Sequence, residues 1–243
     1  MIPEDHPRYK SLVMREHLAE CARKGIVSLE GLTAHGRGEA FDYLLGEKTT
    51  DPALKAARTA AAFLITAKKP VFSVNGNTAA LAASLIADLQ CVSGIDVEVN
   101  LFHRTEERMD KITRFLESAG VRVLKGTAER LVPLTHDRAL CLRNGIFSAD
   151  VVFVPLEDGD RCEALVKMGK RVITVDLNPL SRTSRTASLT IVDEVTRAIP
   201  HISHFFEHMT LMDAEELISC HENRTYLKAA LDEIAGRLKY ALD

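Results

Sequence analysis

Four times in this 243-residue chain a run of β-branched and apolar residues opens directly into a short loop crowded with polar, charged and glycine residues. The four stretches are residues 70–77 (PVFSVNGN), 97–105 (VEVNLFHRT), 151–161 (VVFVPLEDGDR) and 171–183 (RVITVDLNPLSRT). In a parallel sheet the loops leaving the carboxyl ends of neighbouring strands lie side by side, and open α/β sheets bind ligands at that edge. The pattern therefore constrains the chain to a layered sheet with one site assembled from several loops.

Helical periodicity separates the strands. Helices are expected at 78–89, 105–118 and 161–168, a further strand-like run (VRVL) begins at Val121, and residues 189–192 offer one more strand. Strands alternating with helices signal βαβ units and a mostly parallel sheet, so the core is Rossmann-like and three-layered. Before it, residues 8–24 read as a helix stopped by Gly25, and a short helix is expected over 36–47. A third helix starts at Thr50, Asp51 and Pro52. After the core, residues 195–209 and 223–242 return to helical spacing, with Leu227, Leu231, Ile234, Leu238 and Leu242 on one face. The expected organisation is one domain, 1–243, with a helical part over about 1–68, the core over about 69–192 and carboxyl-terminal helices over about 193–243.

Composition excludes several functions. The chain is 46% apolar and 27% charged, enough for a substantial core, and its net charge of −3 comes without blocks of like charge. Bulk binding to nucleic acid or to an acidic membrane surface is not expected, so any anion must be held by local arginines. The five cysteines include no CxxC pair, which leaves reduced thiols in a cytoplasmic protein as the plain reading. The first residues lack the apolar core of a signal peptide, and no apolar run is long enough to span a bilayer.

Neither GxxxxGK nor GxGxxG is present; Gly36, Arg37 and Gly38 followed by Phe41 come nearest. Two glycines around Arg37 let backbone approach a ligand while the guanidinium grips a phosphate or carboxylate; a helix cap with a solvated arginine is the plain alternative. At Asn75, Gly76 and Asn77 a strand ends, a turn is permitted and Asn77 or Thr78 caps the next helix, leaving backbone N–H groups for an anion or simply making a strand-to-helix turn. His103 and Arg104 precede the N-cap Thr105 and suit proton transfer or charge stabilisation, although such pairs also serve structure. Glu157, Asp158 and Asp160 could join a nucleotide phosphate around Mg²⁺ or form a solvated turn. Asp176 stands where a ribose hydroxyl is accepted, with Asn178, Arg182, Thr183 and Arg185 as donors. His201, His204 and His208 share a helical face, where packing is a better reading than a metal site.

These strings together, AHGRGEAFDYLLGE, VNGNTAAL, EVNLFHRTEER, VPLEDGDR, MGKRVITVDLNPLSRTSRTA and TIVD, closely resemble the archaeal phosphopantothenate synthetase family, the 4-phosphopantoate:beta-alanine ligases. The resemblance runs from HPRY near the start to the last helix. It implies a cytosolic homodimer that uses ATP and Mg²⁺ to join 4-phosphopantoate to beta-alanine in coenzyme A synthesis, releasing AMP and pyrophosphate through an acyl adenylate. By matching motif it places Arg15, Arg37, Asp176, Leu177, Asn178, Arg182 and Thr183 at ATP. Where the family pattern has Asn after TIVD, this chain has Glu194. The phosphopantoate would fall to Asn75, Gly76 and Asn77, with His103 and Arg104 as the catalytic pair. A nucleotide or coenzyme sensor, a kinase and an NAD(P)-dependent oxidoreductase are the alternatives, the last disfavoured by the missing GxGxxG.

Overall fold

The computed structural model describes residues 2–6, 8–239 and 241, so Leu242 and the proline of HPRY lie outside the described residues. Three helices lead the chain: α1 (Tyr9–Arg23), α2 (Leu29–Leu45) and α3 (Asp51–Thr66). Ser28 caps α2 by accepting from Gly31 N, and Thr50 caps α3 by accepting from Ala53 N, each satisfying an amide left open by helix geometry. The core follows as β1 (Pro70–Val74), α4 (Gly76–Ser93), β2 (Asp96–Val99), α5 (Glu106–Ser118), a two-stranded hairpin β3 (Glu129–Arg130) and β4 (Leu140–Cys141), β5 (Val151–Phe153), α6 (Gly159–Lys167), β6 (Arg171–Val175), α7 (Arg182–Thr186) and β7 (Leu189–Ile191). Helices α8 (Val195–His208), α9 (Leu211–Cys220) and α10 (Asn223–Lys239) close the chain.

Five strands form one parallel sheet in the order β2-β1-β5-β6-β7. With the hairpin set aside this is the doubly wound order 2-1-3-4-5, whose direction of winding reverses between β1 and β5. Successive side chains of a strand face opposite layers, and here both layers are apolar. Phe72, Val74, Phe153, Ile173 and Val175 pack under α1, α3, α4, α5 and α8, while Val71, Val152, Val154 and Val172 pack under α6 and the hairpin segment. A third cluster caps the carboxyl ends of β6 and β7: Leu177 and Val192 meet Leu45 of α2 and Leu227, Ala230 and Ile234 of α10.

Several local expectations change. The VRVL run contributes one bridge, Val97 to Val123, rather than a strand. Asn75, not Asn77 or Thr78, caps α4, because its Oδ1 accepts from Thr78 N at 2.9 Å. The largest difference is α2, expected over 36–47, which begins at Leu29 and carries Gly36, Arg37 and Gly38 inside the helix. Each interior glycine costs a helix about 1 kcal/mol relative to alanine, so intrinsic preference argues against a helix there. Close contact requires a glycine only at Gly31, where a Cβ would lie 2.2 Å from Asn77 Oδ1; one on Gly38 would make ordinary contact with Leu177, and one on Gly36 would meet nothing.

Candidate active site beneath helix α2

The carboxyl ends of the five parallel strands deliver their loops in sheet order. His103 and Arg104 follow β2, Asn75 to Asn77 follow β1, Leu156 to Asp160 follow β5, Asp176 to Thr183 follow β6, and Asp193 and Glu194 follow β7. Helix α2 lies across this edge from end to end. Glu30 comes within 3.9 Å of His103, Gly31 O accepts from Asn77 Nδ2 at 2.8 Å, Gly38 abuts Leu177, and Asp42 is bound by Arg197 beside Asp193. The dimensions agree: Glu30 to Asp42 rises about 18 Å along a helix, and four inter-strand gaps measure about 19 Å. The β1/β5 reversal, where a doubly wound sheet binds its ligand, therefore lies beneath the middle of α2.

At the β1 exit every predicted residue is present and engaged. Asn75 Nδ2 donates to Leu156 O at 3.0 Å, bridging the two loops that flank the reversal. Gly76 serves close packing rather than a turn, since a Cβ there would sit 2.3 Å from Ile26 O. Across the reversal Leu156 adopts a left-handed φ of 56°, a strained conformation for a branched side chain and one that concentrates at functional sites.

Below the β5 exit lies a buried charge cluster that sequence reasoning only partly saw. Glu157 binds both Arg161 and Arg138, while Arg161 Nη2 donates to Ser73 Oγ at 3.0 Å and Arg138 Nη1 to Asn100 O at 2.8 Å. Burial pushes the Glu157 carboxyl up, but the two guanidiniums outweigh it and hold it below the usual range. Asp160 is paired with His136 at 2.9 Å. Of the carboxylates that the sequence groups for Mg²⁺, Glu157 and Asp160 are thus engaged by other side chains, and no group of three or more His, Cys, Asp or Glu able to hold a metal occurs among the described residues. Arg138 was missed because it sits in an irregular segment with no periodicity to mark it.

Buried side-chain atoms without a hydrogen-bond partner are His35 Nε2, Asn100 Oδ1, His136 Nδ1, Arg138 Nε and Arg161 Nε among the described residues. All belong to the roof, the strand exits or the cluster below them. Buried polar groups are nearly always satisfied in a folded protein, so their convergence on one edge marks where polar ligands or water belong.

The residues assigned to nucleotide divide into two sets. Asp176 accepts from Asn178 N at 2.9 Å and from Ser181 Oγ, leaving carboxylate lone pairs for further donors. Leu177 is buried against α2, and the Thr183 hydroxyl is spent on Glu157 O at 2.8 Å, locking the β6 loop to the β5 loop. Glu194 caps its own helix by accepting from Thr196 N at 2.7 Å, with burial raising its carboxyl above the usual range. The arginines stand above this set: Arg15 on α1 pairs with Glu39 of α2, Arg182 pairs with Glu163, and Arg37 is exposed about 120° around α2 from the crevice-facing stripe. Arg104 lines a separate cavity of about 410 Å³ between α5, Glu98 and residues 123–128. His103 is exposed. The structure thus brings the β1, β5 and β6 residues together and leaves Arg37, His103 and Arg104 at the margins.

A profile of the phosphopantothenate/pantothenate synthetase family matches residues 52–237. The chain is 56% identical to the 4-phosphopantoate–beta-alanine ligase of Methanospirillum hungatei over the whole of both proteins. It is 51% identical to the ligase of that name from Methanosarcina mazei, across 98% of this chain and 96% of the relative. A third, from Thermococcus kodakarensis, is 47% identical across 98% and 93%. With the strand-exit motifs assembled on one roofed edge and relatives matched from end to end, this chain belongs to the phosphopantothenate/pantothenate synthetase family.

Proposed function

We propose that this protein is an ATP-dependent carbon–nitrogen ligase that condenses 4-phosphopantoate with beta-alanine, releasing AMP and pyrophosphate, in coenzyme A biosynthesis. The observation that carries this reading is the end-to-end match to relatives named for that condensation, at 47–56% identity. The geometry supports it. A carboxylate is a poor acyl donor and is activated by attack on the α-phosphate of ATP, which gathers several anions in one crevice. Arg15 and Arg182 wait in exposed ion pairs, with side chains 45% and 63% exposed. Such pairs are worth about 0–1 kcal/mol, so exchanging them for phosphate contacts costs little. Asp176 and Asn178 suit the ribose and base side, and the β1 loop suits the phosphopantoate. Mg²⁺ would enter this site as the partner of the triphosphate, whose oxygens supply ligands to it.

Among the described residues no helix is long and apolar enough to cross a membrane, and the cytoplasmic setting is proposed from the resemblance to the ligase family. The homodimer is proposed from the same resemblance. A monomer mass by light scattering at working concentration would contradict that assembly.

The test of the reaction is the nucleotide product after mixing protein, ATP, Mg²⁺, beta-alanine and either 4-phosphopantoate or unphosphorylated pantoate. AMP formed only with 4-phosphopantoate and beta-alanine together is the expected result. ADP would indicate a kinase, and tight ATP binding without turnover a sensor.

A further inference from the structure

The crevice-facing stripe of α2 is drawn by contacts at four of its positions. Gly31 meets the β1 loop, Gly38 the β6 loop, Asp42 the β7 exit through Arg197, and Leu45 the apolar cap over β6 and β7. Spacing of 31, 38, 42 and 45 follows one helical face, and residue 35 falls on the same face, four after Gly31 and three before Gly38. His35 therefore stands on the same stripe, between the positions that meet the β1 and β6 loops, with Glu39 and Asp42 of its own helix and Arg15 of α1 as its charged neighbours. Its Nε2 is buried and has no hydrogen-bond partner. His17 Nε2 contacts Ala80 O at 2.8 Å and His103 is exposed, while His136, whose Nδ1 is also without a partner, is held through Nε2 by Asp160 in the cluster below the β5 exit.

We propose that His35 is a catalytic residue of the amide-forming step, taking a proton at Nε2 from the ammonium of beta-alanine so that its nitrogen can attack the activated carboxyl. This rests on the ligase reading above. An alkylammonium with a pKa near that of lysine is free amine in only about one molecule in a thousand or fewer at pH 7, so the step requires a base. The balance is complete. The ammonium gives one proton to His35, the amine adds to the acyl carbon, and the bond from that carbon to the AMP oxygen breaks with its electron pair leaving on the phosphate. The remaining surplus nitrogen proton passes to water, and His35 later returns its own to solvent. Burial keeps the imidazole below its ordinary pKa and hence neutral at pH 7; Glu39 opposes this, Arg15 of α1 reinforces it and Asp42 opposes it.

His35→Gln separates the two half-reactions. Exchange of labelled pyrophosphate into ATP, run with 4-phosphopantoate and without beta-alanine, should stay within about threefold of the native rate. Amide formation at pH 7 should fall about 100-fold or more, the range of general-base catalysis. Hydroxylamine, already neutral at pH 7, should still trap the activated carboxyl at a near-native rate, and the deficit with beta-alanine should shrink as pH rises. Unchanged amide formation would overturn the proposal. So would exchange, hydroxylamine trapping and amide formation all falling by one factor, which is the mark of a structural role. Native protein that shows neither exchange nor AMP would instead overturn the ligase reading, and this inference with it.

Discussion

Glu157 shows how much of this site is set by side chains that never reach solvent. It was legible as part of an acidic loop, yet its position between Arg138 and Arg161 depends on a long-range approach that spacing cannot reveal. The arrangement makes a prediction about acid stability. A carboxyl whose folded pKa is depressed contributes stability above its unfolded value, near 4.3, and loses it as pH falls through the folded value. Glu157→Gln should therefore destabilise the protein by about 3 kcal/mol at pH 7, because two buried guanidiniums lose their carboxylate. Chemical denaturation from pH 7 down into acid checks this: the gap between native and variant should narrow as pH falls below about 4.3, and a pH-independent gap would show that charge is not the cause. Glu98 has the opposite sign. Burial raises its carboxyl against the pull of Ile146 N and Leu142 N, so its contribution to stability grows as pH falls through its folded value.

Elements whose ends carry local chemistry were readable, and α2 was not. Thr50 and Thr105 announce α3 and α5 because an N-cap hydroxyl acts on an amide three residues on, within the sequence window itself. In α2 the interior glycines suggest a loop, and among them only Gly31, packed on Asn77, is required by its contacts. Ser28 was the available clue to the true start. At its carboxyl end α2 is fastened by Arg197, which donates to Asp42 at 2.5 Å and to Asp193 at 2.8 Å; burial opposes its charge, but these two carboxylates raise its pKa well above the ordinary value. Arg197→Ala leaves both carboxylates without that partner and should cost about 3 kcal/mol. Hydrogen exchange of α2 should accelerate more than that of α3; equal acceleration would place the fastening elsewhere.

At the scale of the molecule, the alternation of strand and helix yielded the parallel three-layer core and the edge at which loops gather, because period-2 burial and βαβ connection are local patterns with global consequences. Strand order was not legible, so neither was the reversal between β1 and β5 that selects one crevice along the edge. Nor was the roof, which requires a helix far earlier in the chain to lie across all five exits. The central claim is that the substrates meet in that roofed crevice. Hydrogen–deuterium exchange with and without ATP, Mg²⁺ and 4-phosphopantoate tests it most directly. The account predicts protection over residues 31–42, 75–78, 155–160 and 176–183, with little change at the amino ends of the strands. Protection confined to α5 and residues 123–128, around the cavity that Arg104 lines, would contradict it.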